Sequence, residues 1–294
     1  MRYDLLAGAC APAFTPSIMR HPVILVFDSG VGGLTVHAEL ATARPDARFI
    51  YVADDAAFPY GRFGEDDLRR RVVAVMERLI ARFSPDAVVI ACNTASTVVL
   101  AALRARFPIP FVGTVPAIKP ACAMSASGIV AVLATPGTVA RDYTRDLIET
   151  YAQGCEVKLV GSTRLAAHAE AQLQGEWVDD VAVRTEIAPC FVERERADGT
   201  VARTDVVALS CTHYPLLRER FERLAPWPVT FIDPAPAIAR RLTHLIGAAS
   251  EVDADAEPGC AVFTSGVSAT PALRRALQER GFAEIGIEAI ALAK

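Results

Sequence analysis

The feature that most constrains this chain is a short segment that occurs twice. Asp86-Ala-Val-Val-Ile-Ala-Cys-Asn-Thr94 and Asp205-Val-Val-Ala-Leu-Ser-Cys-Thr-His-Tyr-Pro-Leu-Leu217 each run from an aspartate through an apolar stretch to a small residue and a cysteine. The spacing from aspartate to cysteine is six in both, 86 to 92 and 205 to 211. A continuous apolar run with β-branched residues predicts a strand buried on both faces of a parallel sheet. The cysteine then falls at the carboxyl end of its strand, where open α/β sheets bind ligands. One such cysteine would be ordinary, since free Cys is among the most buried residue types. Two at the same point of matching units point to two thiols delivered into one crevice from opposite sides.

The rest of the chain fits around these strands. Residues 22–27 predict a first buried strand, ending in the glycine-rich turn Asp28-Ser-Gly-Val-Gly-Gly-Leu34, with a helix over 35–43. A second strand at 48–52 leads into the loop 53–64, which contains Phe58-Pro-Tyr-Gly61. Helical apolar spacing at Leu68, Val72, Val75 and Leu79 marks 66–83, closed by Ser84-Pro85. After the Cys92 strand come a helix over 95–107 and a strand over 111–115. A second run repeats the order, with a strand at 128–134, the turn Thr135-Pro-Gly-Thr138, a helix at 142–152, a strand at 156–160 and a helix at 164–175. Residues 178–195 read as helix broken near Pro189, and 196–204 as polar loop. The Cys211 strand and a helix over 215–224 complete it. A tail of strands at 229–233 and 261–264, with helices at 236–249 and 270–280, is too short for its own core and should pack back on the first unit.

This alternation predicts an α/β protein of two pseudo-symmetric doubly wound domains with mainly parallel sheets, the site lying in the cleft between them. The expected division is an N-terminal extension over 1–22, a first domain of 23–115 plus 230–294, and a second of 116–229. The length of 294 residues accommodates two such domains. A net charge of -4 gives no footprint for nucleic acid, and no apolar run reaches the ~18–20 residues of a membrane span. Residues 1–22 lack a hydrophobic core between Arg2 and Arg20 and do not read as a signal peptide. Seven cysteines, an odd number without CxxC spacing, disfavour a disulfide framework and structural zinc and fit a reducing cytoplasm.

Facing thiols suit the abstraction and return of a proton at a carbon acid. A thiolate is polarizable, and one thiol on each side lets a planar carbanion be reprotonated from the opposite face. Asp28 is placed to act as base partner or relay for Cys92, and His213, with a glutamate such as Glu170, for Cys211. Gly30, Gly32 and Gly33 fit either an anion cradle or simply a tight strand–helix turn. Their order is not GxGxxG, which argues against a dinucleotide site. Cys211-Thr-His213 has no second Cys/His pair beside it, so no metal is expected. Lysine occurs only at 119, 158 and 294, which disfavours a Schiff-base cofactor. Asp54-Asp55 reads as solvated loop, and Cys10, Cys122, Cys155, Cys190 and Cys260 as structural.

Taken together, Val26-Phe-Asp-Ser-Gly-Val-Gly-Gly-Leu-Thr-Val36, Pro59-Tyr-Gly61, Ala91-Cys-Asn-Thr94 and Cys211-Thr-His-Tyr-Pro-Leu-Leu217 resemble the motifs of cofactor-independent glutamate racemases. The resemblance runs in order from Val23 to the C-terminus. It implies that Cys92 and Cys211 are the proton donor/acceptor pair, with Glu170 partnering His213. It also implies that Asp28, Ser29, Tyr60, Gly61, Asn93, Thr94, Thr212 and His213 hold the substrate, L- or D-glutamate. No PLP, nicotinamide or metal is implied; D-glutamate supply for peptidoglycan is. Residues 113–121 and 169–176 look like the proteobacterial branch, which implies activation by a UDP-linked muramyl-alanine precursor. A monomer or homodimer is expected. Ser210 departs from the usual glycine before the second cysteine, and Gly161-Ser162 from a Cys-containing pair, without removing a catalytic group. The rivals are an aspartate or hydantoin racemase of the same superfamily, and a binding protein on this scaffold that restrains DNA gyrase. The acidic balance disfavours direct DNA contact, and the intact thiol pair disfavours loss of catalysis.

Overall fold

β1 (Val23–Asp28) is buried at every position, as its unbroken apolar sequence requires, and it lies inside a six-stranded sheet. The structure is a computed structural model that describes residues 21–249, 257–266 and 269–290. The expected extension therefore lies, apart from His21 and Pro22, outside the described residues, as does Cys10. From β1 the chain continues through α1 (Leu34–Ala43), β2 (Arg48–Ala53), α2 (Glu65–Phe83), β3 (Ala87–Ile90), α3 (Asn93–Arg106) and β4 (Phe111–Gly113). It then crosses on α4 (Ile118–Met124) to β5 (Ile129–Ala134), α5 (Pro136–Val139), α6 (Asp142–Tyr151), β6 (Glu156–Gly161) and α7 (Leu165–Leu173). Next come α8 (Asp180–Ile187), β7 (Glu193–Glu195), β8 (Val201–Arg203), β9 (Val206–Ser210), α9 (Arg218–Leu224) and β10 (Thr230–Ile232). The chain returns on α10 (Ala235–Ile246), β11 (Gly259–Phe263), α11 (Pro271–Gln278) and β12 (Phe282–Ile287).

The first sheet has the order β12-β11-β2-β1-β3-β4 and the second β10-β9-β5-β6, every pair parallel. Read from β2, the first runs β2-β1-β3-β4; read from β6, the second runs β6-β5-β9-β10. The two units thus share one topology, with β3 equivalent to β9. The paired aspartates hold equivalent places. Asp86 accepts from Val23 N at 2.7 Å, which ties β3 to the start of β1. Asp205 accepts from Ser125 Oγ, Ala126 N and Ser127 N at 2.6, 2.7 and 2.8 Å, which ties β9 to the start of β5.

Each sheet is covered on both faces, so its central strands are buried along their length, whereas the edge strand β6 exposes Glu156 and Lys158. Leu25, Ile50 and Val88 pack beneath Leu68, Val72, Val75 and Leu79 of α2, while Ile24, Val26 and Val89 face Leu34, Leu40 and Leu242. In the second unit Leu133 and Leu209 meet Tyr214 and Phe221, and Val130 and Val132 meet Ile118 and Ala121. Each such side chain, fully buried, contributes about 1.5–3 kcal/mol.

The sequence expectations and the structure part at four places. Residues expected as late helix and polar loop instead form the antiparallel hairpin β7–β8, with Glu193 opposite Arg203. Its turn is set by Gly199, whose φ of +80° suits glycine, and by Asp198, which accepts from Thr200 N at 2.9 Å. Thr230–Ile232 pairs with β9, so the second sheet reaches past residue 229, where the sequence reading closed that unit. Neither α4 nor β12 was foreseen as an element. Asp54 is fully buried rather than solvated, and it is clasped by Arg71 Nη2 at 2.6 Å and Nε at 3.0 Å.

Candidate functional site

Cys92 and Cys211 stand at the carboxyl ends of β3 and β9, the two equivalent strands, and open into the same cleft. Ser29, Tyr60, Gly61, Asn93, Thr94, Thr212 and His213 line that cleft with them. Asp28 and Glu170 stand just behind the lining. The residues expected to carry the chemistry or hold substrate are therefore gathered at one place. The cleft is nearly closed, with about 20 Å³ of free space, enough for about one water molecule.

On the first side, Asp28 ends β1 and is fully buried. Its carboxylate accepts from Ser29 N at 2.7 Å, Gly33 N at 2.6 Å and Thr212 Oγ1 at 3.1 Å. The last of these joins the two units across the cleft, as does Thr35 Oγ1 donating to Thr212 O at 3.0 Å. Cys92 Sγ lies 3.8 Å from Ser29 Oγ, which lies 3.5 Å from Asp28 Oδ1, so a hydroxyl stands between Asp28 and the thiol. Burial pushes the Asp28 carboxyl above its ordinary value, opposed by the nearby His213 and the N–H donors. Burial, reinforced by the Asp28 charge, raises the Cys92 thiol.

On the second side, His213 Nε2 and Glu170 Oε1 are 2.9 Å apart, and His213 Nδ1 lies 3.8 Å from Cys211 Sγ. Burial opposes charge on His213, but hydrogen bonds to Cys211 and Glu170 outweigh it and hold the imidazole well above its ordinary value. Glu170, in α7, would be raised by burial, yet the His213 bond and Val31 N hold it below the usual carboxylate range. The sulfur of Cys211 thus has beside it an imidazole whose charged form is favoured by its partners.

The glycine-rich turn is explained by close approach. A Cβ on Gly30 would lie 2.2 Å from Glu170 Oε1, and one on Gly32 would lie 2.4 Å from His213 Nδ1. Neither glycine has a positive φ among those recorded, so what the turn needs is space.

Asn93 opens α3, and its Nδ2 is buried without a hydrogen-bond partner. A buried donor left unmade costs about 1–3 kcal/mol, so it marks a place for an acceptor. Tyr60 is anchored from behind, its hydroxyl donating to Asp54 Oδ2 at 2.5 Å, while Thr264 Oγ1 donates to Asp54 Oδ1 at 2.5 Å.

The sequence reading took Asp54 for solvated loop and Thr135 and Thr138 for a turn, and did not place them at the site. Thr94, Thr135 and Thr138 form a hydroxyl triangle with sides of 3.0, 3.2 and 3.0 Å, and Thr135 reaches the cleft. The signal was available, because Thr135-Pro-Gly-Thr138 follows β5 as the glycine-rich turn follows β1. Among the described residues no three His, Cys, Asp or Glu side chains gather as a metal site, and no helix is long and apolar enough to cross a membrane.

Two cysteines thus converge from equivalent strand ends, one near the Asp28 carboxylate and the other beside the His213 imidazole. The chain belongs to the Asp/Glu/Hydantoin racemase family, whose sequence model matches residues 34–242. It is 57% identical over 249 residues to a glutamate racemase of Mesorhizobium japonicum, covering 84% of this chain and 93% of that one. To a glutamate racemase of Brucella canis it is 54% identical over 252 residues, covering 85% and 89%. The fold is also similar to the crystal structure of Escherichia coli glutamate racemase in complex with L-glutamate and the activator UDP-MurNAc-Ala. That similarity has a TM-score of 0.81 at 40% identity, over 92% of this chain and all of that one.

Proposed function

We propose that this chain interconverts L- and D-glutamate without an added cofactor, with Cys92 and Cys211 acting on opposite faces of the α-carbon. The observation that carries the reading is that both thiols open into one cleft from topologically equivalent strand ends. From D-glutamate, Cys92 as thiolate takes the α-proton and Cys211 as thiol donates one to the other face; from L-glutamate the roles reverse. Asp28, through Ser29, handles the proton at Cys92, and His213 with Glu170 handles it at Cys211. Asn93 Nδ2 binds substrate carboxylate oxygen, and Thr212 Oγ1 does so by turning its single O–H from Asp28 to the substrate, with Thr94, Tyr60 and Gly61 completing the wall. A cleft of about 20 Å³ has no room for glutamate, so the two units part for entry and close around it.

The product would serve peptidoglycan synthesis in the cytoplasm. A cavity of about 460 Å³ between α4, α6 and α10 contains Lys119, Arg240 and Arg241. These cations suit the diphosphate of a UDP-linked muramyl-alanine precursor acting as activator. An activator that binds the competent state more tightly shifts the population toward it.

The test is circular dichroism of L- or D-glutamate incubated with purified protein, without PLP and with EDTA. The expected result is decay of the signal to zero from either enantiomer, faster with the precursor present. Reaction with aspartate in preference to glutamate, or activity only after PLP or metal is restored, would refute the reading.

A further inference from the structure

Glu170 sits in the last turn of α7, a helix of nine residues whose start is capped by Ser162 Oγ, which accepts from Leu165 N at 3.0 Å. The chain leaves the helix at Gly175, with a φ of +76°, so no further turn stiffens the end that carries Glu170. A helix end opens more readily than its middle. Of the stretch 169–176, the cleft itself uses only Glu170. Gln172, two residues further on, is half-buried and fully bonded outside the cleft. Its Nε2 donates to Leu216 O at 2.6 Å, and its Oε1 accepts from Arg220 Nε at 2.6 Å. Leu216 N in turn donates to His213 O at 3.1 Å. Arg220 is held by Asp180, which also accepts from Arg223 Nη2 at 2.8 Å. The amide fits in one orientation, because reversed it would turn its N–H groups on the guanidinium and its oxygen on the Leu216 carbonyl.

We propose that Gln172 is a positioning residue for proton transfer at Cys211, bracing α7 against the turn after His213 so that Glu170 meets the imidazole. The connections form a closed ring. It runs from Glu170 Oε1 to His213 Nε2 at 2.9 Å, along the main chain to Leu216, through the Gln172 amide and back along α7. Two hydrogen bonds closing one ring resist a drift that either alone would permit.

The charged and titratable groups facing His213 are Glu170 from α7, Asp28 from the end of β1 and Cys211 two residues before it. Among these, Glu170 is the one that α7 carries. Without the brace Glu170 can shift, and the imidazole beside Cys211 loses the bond that sets it. Cys92, with Ser29 and Asp28 of the first unit beside it, is left as it was. This role rests on the reading that Cys211 acts on the L enantiomer and Cys92 on the D.

The test compares wild type with Gln172→Met and Gln172→Glu. Methionine keeps the length and helix preference but offers neither bond. A carboxylate keeps an acceptor for Arg220 but has no hydrogen for Leu216 O. Each protein is given L- or D-glutamate carrying chlorine on the β-carbon, and chloride release is followed. The thiolate takes the α-proton, the C–H electrons form the Cα–Cβ double bond, and chloride leaves with the C–Cl pair, so the opposite thiol need not act. Both variants should release chloride from the L substrate about tenfold more slowly, since small misplacements of supporting groups cost this much or more. Release from the D substrate should stay within about twofold of wild type, which also shows that the variants fold. Equal losses on both enantiomers would mean that Gln172 only holds the fold, and an unchanged L rate in either variant would mean that its bond to Leu216 O is idle. Each result overturns the proposal. If the wild type neither racemises glutamate nor releases chloride, the reading of the cleft has failed, and the imidazole decides the brace by itself. The His213 ring protons, assigned by their loss in His213→Gln, should then titrate at lower pH in Gln172→Met than in wild type by NMR. Identical midpoints would overturn the brace.

Discussion

One carboxylate oxygen, Glu170 Oε1, lies 2.9 Å from His213 Nε2 and also accepts from Val31 N at 3.0 Å. Glu170 and His213 belong to the second unit and Val31 to the first, so a single atom sets the imidazole and helps hold the units together. The two groups shift in opposite directions. Glu170 lies below its ordinary 4.5, so its stabilisation is present above that value and lost as pH falls through the lowered one. His213 lies above its ordinary 6.5, so its share is complete below that value and lost as pH rises through the raised one. The pair acts at full strength between about pH 4.5 and 6.5. Glu170→Gln should therefore be destabilised most in that window, with the deficit shrinking on both sides. It should also move the alkaline limb of kcat/KM to lower pH. Identical pH–stability and pH–rate curves for the two proteins would show that the carboxylate is idle.

Gly30 leaves no room for a side chain, since a Cβ there would fall 2.2 Å from Glu170 Oε1. Gly30→Ala should displace Glu170 and cost at least about tenfold in kcat, because misplacement of about an ångström in supporting groups is enough to cost about 10²-fold. Its melting temperature should change less than its activity. Steady-state kinetics beside a thermal melt decides this, and near-normal kcat would mean that Glu170 yields freely.

The thiol pair makes an asymmetric demand. Cys92→Ser and Cys211→Ser should each lose racemisation in both directions by about 10²–10⁴-fold, the usual share of a positioned acid–base group. With Cys211→Ser, Cys92 can still deprotonate a D-substrate bearing a β-leaving group, so slow elimination should survive on that enantiomer alone. Cys92→Ser should show the opposite preference. Both variants eliminating from the same enantiomer would break the assignment.

The unpartnered Asn93 Nδ2 and the bridging Thr212 Oγ1 are expected to hold substrate oxygen. Loss of one hydrogen bond to a charged group costs about 1.5–3 kcal/mol, or about ten- to hundredfold in kcat/KM. Asn93→Ala and Thr212→Val should fall in that range. A change within about twofold in either would remove that residue from the substrate contacts.

Asp54 is fully buried with Arg71, Tyr60 and Thr264 around it. Asp54→Ala leaves a buried guanidinium without its carboxylate, which should cost about 3–5 kcal/mol of stability. Denaturant unfolding measures this, and a loss below about 1 kcal/mol would mean that solvent reaches Arg71 readily.

Much of this was legible in the chain, for specific reasons. Strands buried on both faces leave unbroken apolar runs, so β1, β3, β5 and β9 could be read directly, and with them both cysteines. The hairpin β7–β8 was harder to see because its residues are nearly all exposed and carry no apolar period; only Asp198-Gly199 marked the turn. Asp54 was misread because a charged pair in a loop looks solvated until Arg71, a helix residue seventeen positions away, is known to face it. Thr135 and Thr138 were visible as a turn, but their contact with Thr94 comes from the approach of two units, which local pattern does not encode.

The shared strand order of the two sheets bears on the energetics of turnover. Enantiomers in solution have identical free energy, so the equilibrium constant of racemisation is one and kcat/KM must be equal in both directions. The duplicated scaffold presents a sulfur from each side, yet the groups behind the sulfurs differ: Ser29 and Asp28 on one side, His213 and Glu170 on the other. The two bound enantiomers need not be equally stable. Any excess affinity for one must reappear as a proportionally slower departure from that complex, so kcat and KM are free to diverge only together.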